Sequence, residues 1–321
     1  MVRVEFREAV RTEEPRYAVW MGLAAAEHKL RRFGAAIDAL SAGAALRPNA
    51  PMPYYHRGTA RLEVGDAAGA VADFDRYLEL APGDPDGLLN RAAAKFRTGD
   101  DRGAVADLDA AERRGSTRTR LFALREQAKR RLGDTAGADR DRQTFLEHLP
   151  TDALSWNVRG EYKLASSPRD VPGALADFDA ALKLDPLLLS ALQNKASLLS
   201  EDPATHAKAI ELLDRVLELA PDSVSDRAGR SVLLARVGRT AEALREVAAC
   251  APQARDGMTL YQLASAALVA GDKPRGLSLL RAALRKDVSL GSLMPTDSDL
   301  KLLHKDAEFA NLLAAAATLS R

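Results

Sequence analysis

Cysteine is almost missing from this chain of 321 residues: the single thiol, Cys250, excludes a disulfide framework and any cysteine-built zinc or iron–sulfur site. Net charge is nearly missing too. There are 46 Lys and Arg against 45 Asp and Glu, so no whole-chain field draws the protein to nucleic acid or to a membrane surface. No apolar run approaches the ~20 residues that span a bilayer, and the stretch 312–319 is too short. Residues 1–14 are charged and lack the apolar centre of a secretory signal, so a reducing, cytoplasmic setting is expected. Aromatics are scarce, at 5%, yet hydrophobic residues reach 46%, enough apolar surface to offset the entropy of ordering a chain. Ala and Leu dominate that share, the composition of many thin helix contacts.

What is present is a period. Pro48, Pro82, Pro150, Pro186 and Pro221 are spaced by 34 residues, twice 34, 36 and 35. Gly65-Asp66, Gly99-Asp100 and Gly133-Asp134 repeat at 34, and Gly271-Asp272 follows much later. Small residues fall in register at Ala36, Ala70, Ala104, Ala138, Ala174, Ala209, Ala243 and Gly276. Four residues after each stands a large apolar one, from Leu40, Phe74 and Leu108 to Phe178, Leu213, Val247 and Leu280, with Arg142 as the exception. Upstream, a large column (Trp20, Tyr54, Leu88, Phe122, Trp156, Leu192, Leu260) precedes a small one by four residues (Ala24, Gly58, Ala92, Gly160, Ala196, Ser231, Ala264).

This pattern predicts two antiparallel helices per unit. In the first helix, large and small residues four apart share a face, leaving a notch that a bulky side chain can enter. Gly-Asp then breaks the chain, because glycine accepts the left-handed conformation and aspartate caps the helix that follows. The second helix keeps its apolar residues on one inner face, and a proline closes the unit.

Tyr54-Tyr55-His56-Arg57-Gly58, Gly65-Asp66, Ala70, Phe74 and Pro82, recurring at a period of 34, resemble the tetratricopeptide repeat. The resemblance implies an all-α fold, a right-handed superhelical solenoid. About eight units are expected over 17–291, starting near 17, 51, 85, 119, 153, 189, 224 and 257. The fifth and sixth carry insertions of two and one residues at 166–172 and 201–205. The seventh is degenerate, with Arg227 in the large column. Residues 1–16 are expected to be the second helix of a unit whose first helix is absent, as though cut from a longer chain, or else an N-terminal cap. Residues 292–321 leave the register and are expected to form capping helices, with Thr296 or Asp297 capping the first. This ending resembles long repeat tails in bacterial, planctomycete-type proteins that carry a serine/threonine kinase domain upstream.

No catalytic signature occurs. The five histidines form no i, i+4 pair, and there is no phosphate-binding loop, nucleophile elbow, zinc-protease motif or kinase motif. No catalytic residue, metal ligand or cofactor is therefore expected, and Cys250 is read as a buried structural thiol. The most regular charged feature is a ladder. Arg57, Arg91, Arg125 and Arg159 repeat on first helices, as do Lys195 and Arg230. Asp73, Asp107, Asp141 and Asp177 repeat on second helices, as does Glu246. Their co-occurrence predicts structural ion pairs. Lys195 lacks an acid in register, at Leu212, though Asp214 lies two positions beyond that site. A second feature is local: eight bases against one acid, Glu126, between 113 and 131. It reads as a solvated face, or as a docking patch for an acidic or phosphorylated partner.

In tetratricopeptide proteins first helices line the concave surface, so the resemblance points to that side for a partner. The groove positions expected there are Tyr55, Thr59, Asn90, Arg97, Gln127, Arg130, Arg131, Asn157, Glu161, Gln193, Asn194, Tyr261 and Gln262. Amides at such positions bond a peptide backbone whatever its sequence. A non-catalytic scaffold for a protein or peptide is the function these residues imply, with an acidic partner as one option. A regulatory kinase tail and a polyanion-binding solenoid using 113–131 are the alternatives, and nucleic acid is disfavoured because Phe122, the one aromatic near the patch, is needed in the core.

Overall fold

The computed structural model describes residues 17–319, so the expectation for residues 1–16 lies outside the described residues. Seventeen α-helices and no strand occur among the described residues. The chain divides into two compact units, 1–185 and 186–321. In the first unit, short turns join α1 (Tyr17–Lys29) to α2 (Phe33–Leu46), α3 (Met52–Glu63) to α4 (Ala67–Leu80), and α5 (Pro85–Thr98) to α6 (Asp101–Arg113). The same unit continues with α7 (Arg120–Arg131) and α8 (Thr135–Glu147), then α9 (Ala153–Leu164) and α10 (Val171–Leu184). The second unit pairs α11 (Leu189–Leu199) with α12 (His206–Leu219), α13 (Val224–Arg236) with α14 (Thr240–Cys250), and α15 (Gly257–Val269) with α16 (Lys273–Lys286). It ends in two 3-10 turns, Val288–Ser292 and Ser298–Leu303, and α17 (Ala307–Leu319).

The Gly-Asp pairs set the turns. Gly65, Gly99 and Gly133 hold φ of 82°, 85° and 83°, a region that a side chain would strain. Asp66, Asp100 and Asp134 follow as N-caps, each side chain accepting the backbone N–H three residues on. One aspartate thus satisfies a donor that the new helix would otherwise leave open.

Inside each pair the notch is filled from the partner helix. The Phe74 ring lies on Gly58, where an added Cβ would stand 2.9 Å from it. Phe178 meets Gly160 more closely still, at 2.6 Å. Where the notch residue is alanine the filler is shorter: Ala92 and Leu108 are both fully buried in one apolar cluster. The α7–α8 pair departs from this. Glu126 and Arg142 occupy the two columns, and the fully buried Phe145 supplies the apolar bulk, its ring 5.1 Å from that of Tyr162.

In the second unit Leu263 and Leu280 share one core with Leu290, Met294, Leu300 and Phe309, so the irregular ending covers the last helix pair. Asp297 caps the Ser298–Leu303 turn, accepting from Asp299 N–H at 2.9 Å. Cys250 is fully buried in this core, and burial pushes its thiol pKa up.

Candidate concave binding site

The ion-pair ladder holds the first helices in position. Arg57–Asp73 is 2.6 Å, and Arg91–Asp107, Arg125–Asp141 and Arg159–Asp177 are each 2.7 Å. Arg230 reaches Glu246 in the same manner. Each of the four aspartates also takes a second base one helical turn beyond the arginine: Arg61, Lys95, Lys129 and Lys163, at 2.8–2.9 Å. That second column escaped the sequence reading, although it repeats at the same period. The arginines in turn reach back to the preceding pair. Arg91 bonds Asp75 at 2.8 Å, Arg125 bonds Asp109 at 2.7 Å, and Arg57 donates to the Ser41 hydroxyl at 3.0 Å. Asp214, considered as a partner for Lys195, belongs to this backward set and pairs with Arg230. Burial opposes ionisation of Asp141, but hydrogen bonds from Arg125 and Lys129 hold its carboxyl below the ordinary value.

Stacked this way, the first helices of unit one enclose a hollow of about 560 Å³. Tyr55, Thr59, Asn90 and Arg97 all line it, with apolar walls from Met21, Leu62, Ala93 and Leu154. Asn90 Nδ2 donates to the Tyr55 hydroxyl at 2.9 Å, Thr59 donates to the Tyr55 carbonyl at 3.0 Å, and Arg97 to the Leu62 carbonyl. His28 and His56 stand on the rim; partial desolvation lowers both pKa values, opposed at His28 by Glu63 and reinforced at His56 by His28. In the second unit Gln193, Asn194 and Gln262 line a separate hollow, also about 560 Å³, where Gln193 donates to Asp226 at 2.8 Å.

Of the remaining expected groove positions, only Tyr261 joins these, sharing a smaller hollow of about 210 Å³ with Gln262. Gln127, Arg130, Arg131 and Glu161 lie on α7 and α9 outside these hollows. Asn157 and Tyr261 need correction, because neither is exposed: they retain 1% and 5% of their accessible surface. Asn157 turns along its own helix and donates to Glu161 at 2.9 Å. The Tyr261 hydroxyl donates to Asp297 at 2.7 Å, beneath the ending that covers α15. Period alone placed both outward; contacts with a neighbouring turn and with an out-of-register segment draw them in.

The basic patch at 113–131 also differs from its sequence. Acids brought from other helices answer it: Arg118 meets Asp86, Arg125 meets Asp109, Glu112 and Asp141, and Lys129 meets Asp141. Arg130 pairs with Glu126 and Asp139, and Arg131 with Asp101 at 3.4 Å while stacking on Phe96 at 3.7 Å. The imbalance is local in sequence and largely cancelled in space.

Residues 55–118 match the family model for the tetratricopeptide repeat. No curated protein matches the chain. Among solved structures, the human IFIT1 dimer with PPP-AAAA is 13% identical, with a TM-score of 0.56 over 99% of this chain and 94% of that one. TTC0263, a thermophilic TPR protein of Thermus thermophilus, is 20% identical over 57% of this chain and 99% of its own, at a TM-score of 0.46. YrrB, a TPR protein with an unusual peptide-binding site, is 21% identical over 58% of this chain and 95% of its own, at 0.33. At 13% identity the likeness to the IFIT1 structure is one of fold alone. Both units are all-α and built of antiparallel helix pairs, and within the first, residues 55–118 carry the tetratricopeptide repeat. No helix among the described residues is long and apolar enough to cross a membrane.

Proposed function

We propose that this chain is a non-catalytic scaffold that holds a peptide or a partner domain against the first helices of unit one. The observation carrying this reading is the hollow in which Tyr55, Thr59, Asn90 and Arg97 converge between apolar walls. A few polar groups set in an apolar concavity fix the direction of an extended chain while its side chains bury apolar surface. Within the scaffold, 17–291 serve as the binding array and 292–321 close its end. The ion-pair ladder supports the groove without lining it: the fixed spacing of Arg57, Arg91, Arg125 and Arg159 against their aspartates sets each first helix at one depth. A polyanion site at 113–131 is disfavoured by the acids that answer it.

The test is selection of peptides from a random library on the immobilised protein, followed by binding to a pocket-filling variant, Thr59→Arg with Ala93→Arg. Peptides selected on the wild type should lose binding to the variant, whose melting temperature should stay close to wild type. Selected peptides that bind both proteins equally would place the partner elsewhere.

A further inference from the structure

Three bases line the hollow of unit one, Lys29, Arg97 and Arg120, against a single acid, Glu63. None of the three forms an ion pair among the described residues, in contrast to the ladder arginines, each held by at least one carboxylate. Arg120 is the sharpest case. Its Nε is sealed from solvent without a hydrogen-bond partner, and a terminal nitrogen reaches Asn90 Oδ1 only at 3.3 Å. It is also the first residue of α7, where the positive end of the helix dipole adds to its own charge. The nearby carboxylates are engaged elsewhere: Asp86 by Arg118 at 3.3 Å, and Asp152 by the first turn of α9, through Ser155 N–H at 3.0 Å. Desolvation accordingly lowers the guanidinium pKa, against the upward pull of Asp152 and Asp86.

A desolvated cation held in no ion pair is costly, and an anion of suitable shape offsets that cost. A planar guanidinium suits a carboxylate, which takes two parallel hydrogen bonds from it. The rest of the hollow says what carries that carboxylate. Its walls at Met21, Leu62 and Leu154 are apolar and Glu63 lines it too, a poor setting for a polyanion. The lining continues past Arg120 to Leu154 on α9, so a chain lying along it presents its acid from the middle rather than from its end.

We infer that the hollow receives an acidic peptide segment, an internal Asp or Glu side chain pairing with Arg120 while apolar neighbours lie against Met21, Leu62 and Leu154. The inference rests on the groove reading above and names its ligand chemistry.

The test is fluorescence anisotropy with three pools of N-acetylated, C-amidated octapeptides. Their fourth residue is fixed as Glu, Gln or Lys, and the flanking positions are mixed Leu, Val, Phe, Ser and Thr. On the wild-type chain the Glu pool should bind about tenfold more tightly than the Gln pool, the factor expected for one charge-assisted pair. In Arg120→Gln the two pools should bind alike. If the Glu and Gln pools bind the wild type equally, acidic recognition fails while the groove reading stands. If no pool binds, both fail. Tighter binding of the same Glu peptides with a free C-terminus would move the carboxylate to the chain end and overturn the internal side chain. A ten-nucleotide single-stranded RNA that outcompetes the Glu pool would assign the hollow to nucleic acid instead. The wild-type comparison needs no variant, so the outcome does not depend on how Arg120→Gln folds.

Discussion

Arg159 and Asp177 lie eighteen residues apart and pair at 2.7 Å, the distance also found for Arg91 and Asp107, which lie sixteen apart. Two extra residues in the turn between α9 and α10 leave the pair untouched. The loop absorbs the insertion because it is exposed and has few contacts to lose, whereas the buried pair has one workable geometry. The ladder therefore sets the helix spacing, and the turn accommodates it.

Removing one acid should be costly. Asp107 is 6% exposed and receives both Arg91 and Lys95, so Asp107→Ala strands two bases in a low-dielectric site. A loss of about 3 kcal/mol is expected by urea unfolding. A melting temperature equal to wild type would show that the pairs hold nothing together.

The fit of Phe178 on Gly160 makes a second prediction. Gly160→Ala places a methyl 2.6 Å from the ring and should cost about 1–3 kcal/mol through overpacking. Adding Phe178→Leu reproduces the Ala92–Leu108 arrangement and should recover most of the loss in thermal unfolding. A double variant less stable than the sum of its singles would mean that the notch is not the contact at fault.

His28 and His56 should titrate below the ordinary histidine value of 6.5, since desolvation lowers both. Their depressed folded-state values mean that the unfolded chain binds more protons as pH falls through 6.5. Their contribution to stability is present above that pH and lost on acidification. Proton NMR titration should give midpoints below 6.5, and the double variant His28→Gln with His56→Gln should lose less stability between pH 7 and 5 than wild type. Midpoints at or above 6.5 would show that the hollow does not desolvate these rings.

Tyr261 ties α15 to the irregular ending through Asp297, and Arg236 adds a bond to Asp299 at 2.8 Å. Tyr261→Phe should cost about 1.5 kcal/mol, the worth of one hydrogen bond to a charged group. Amide exchange should quicken in the Ser298–Leu303 turn. Unchanged exchange there would mean that the apolar contacts of Leu300 and Phe309 alone fix the ending.

Much of this molecule can be read from local rules. The all-α fold, the turns at Gly65-Asp66, Gly99-Asp100 and Gly133-Asp134, and the aspartates facing Arg57 and Arg91 all follow from a 34-residue period, because each depends on residues within one helix pair. Tyr55, Thr59, Asn90 and Arg97 lie on first helices, the side to which the repeat pointed, and all four line one hollow. What the period could not convey depends on residues from different pairs meeting. The acids Asp86, Asp101 and Asp109, from the preceding pair, answer bases of a patch that looks basic along the chain. The ending that covers Tyr261 lies outside the repeat altogether. Arg120 is one base among eight at 113–131; only its setting between Asn90 on α5 and Ser155 on α9 leaves it without an ion pair among the described residues. Sequence determines which side chains each helix offers, since helix geometry repeats every few residues. Tertiary structure decides which charges cancel, since that depends on distances between residues from different parts of the chain, 32 positions apart for Arg118 and Asp86.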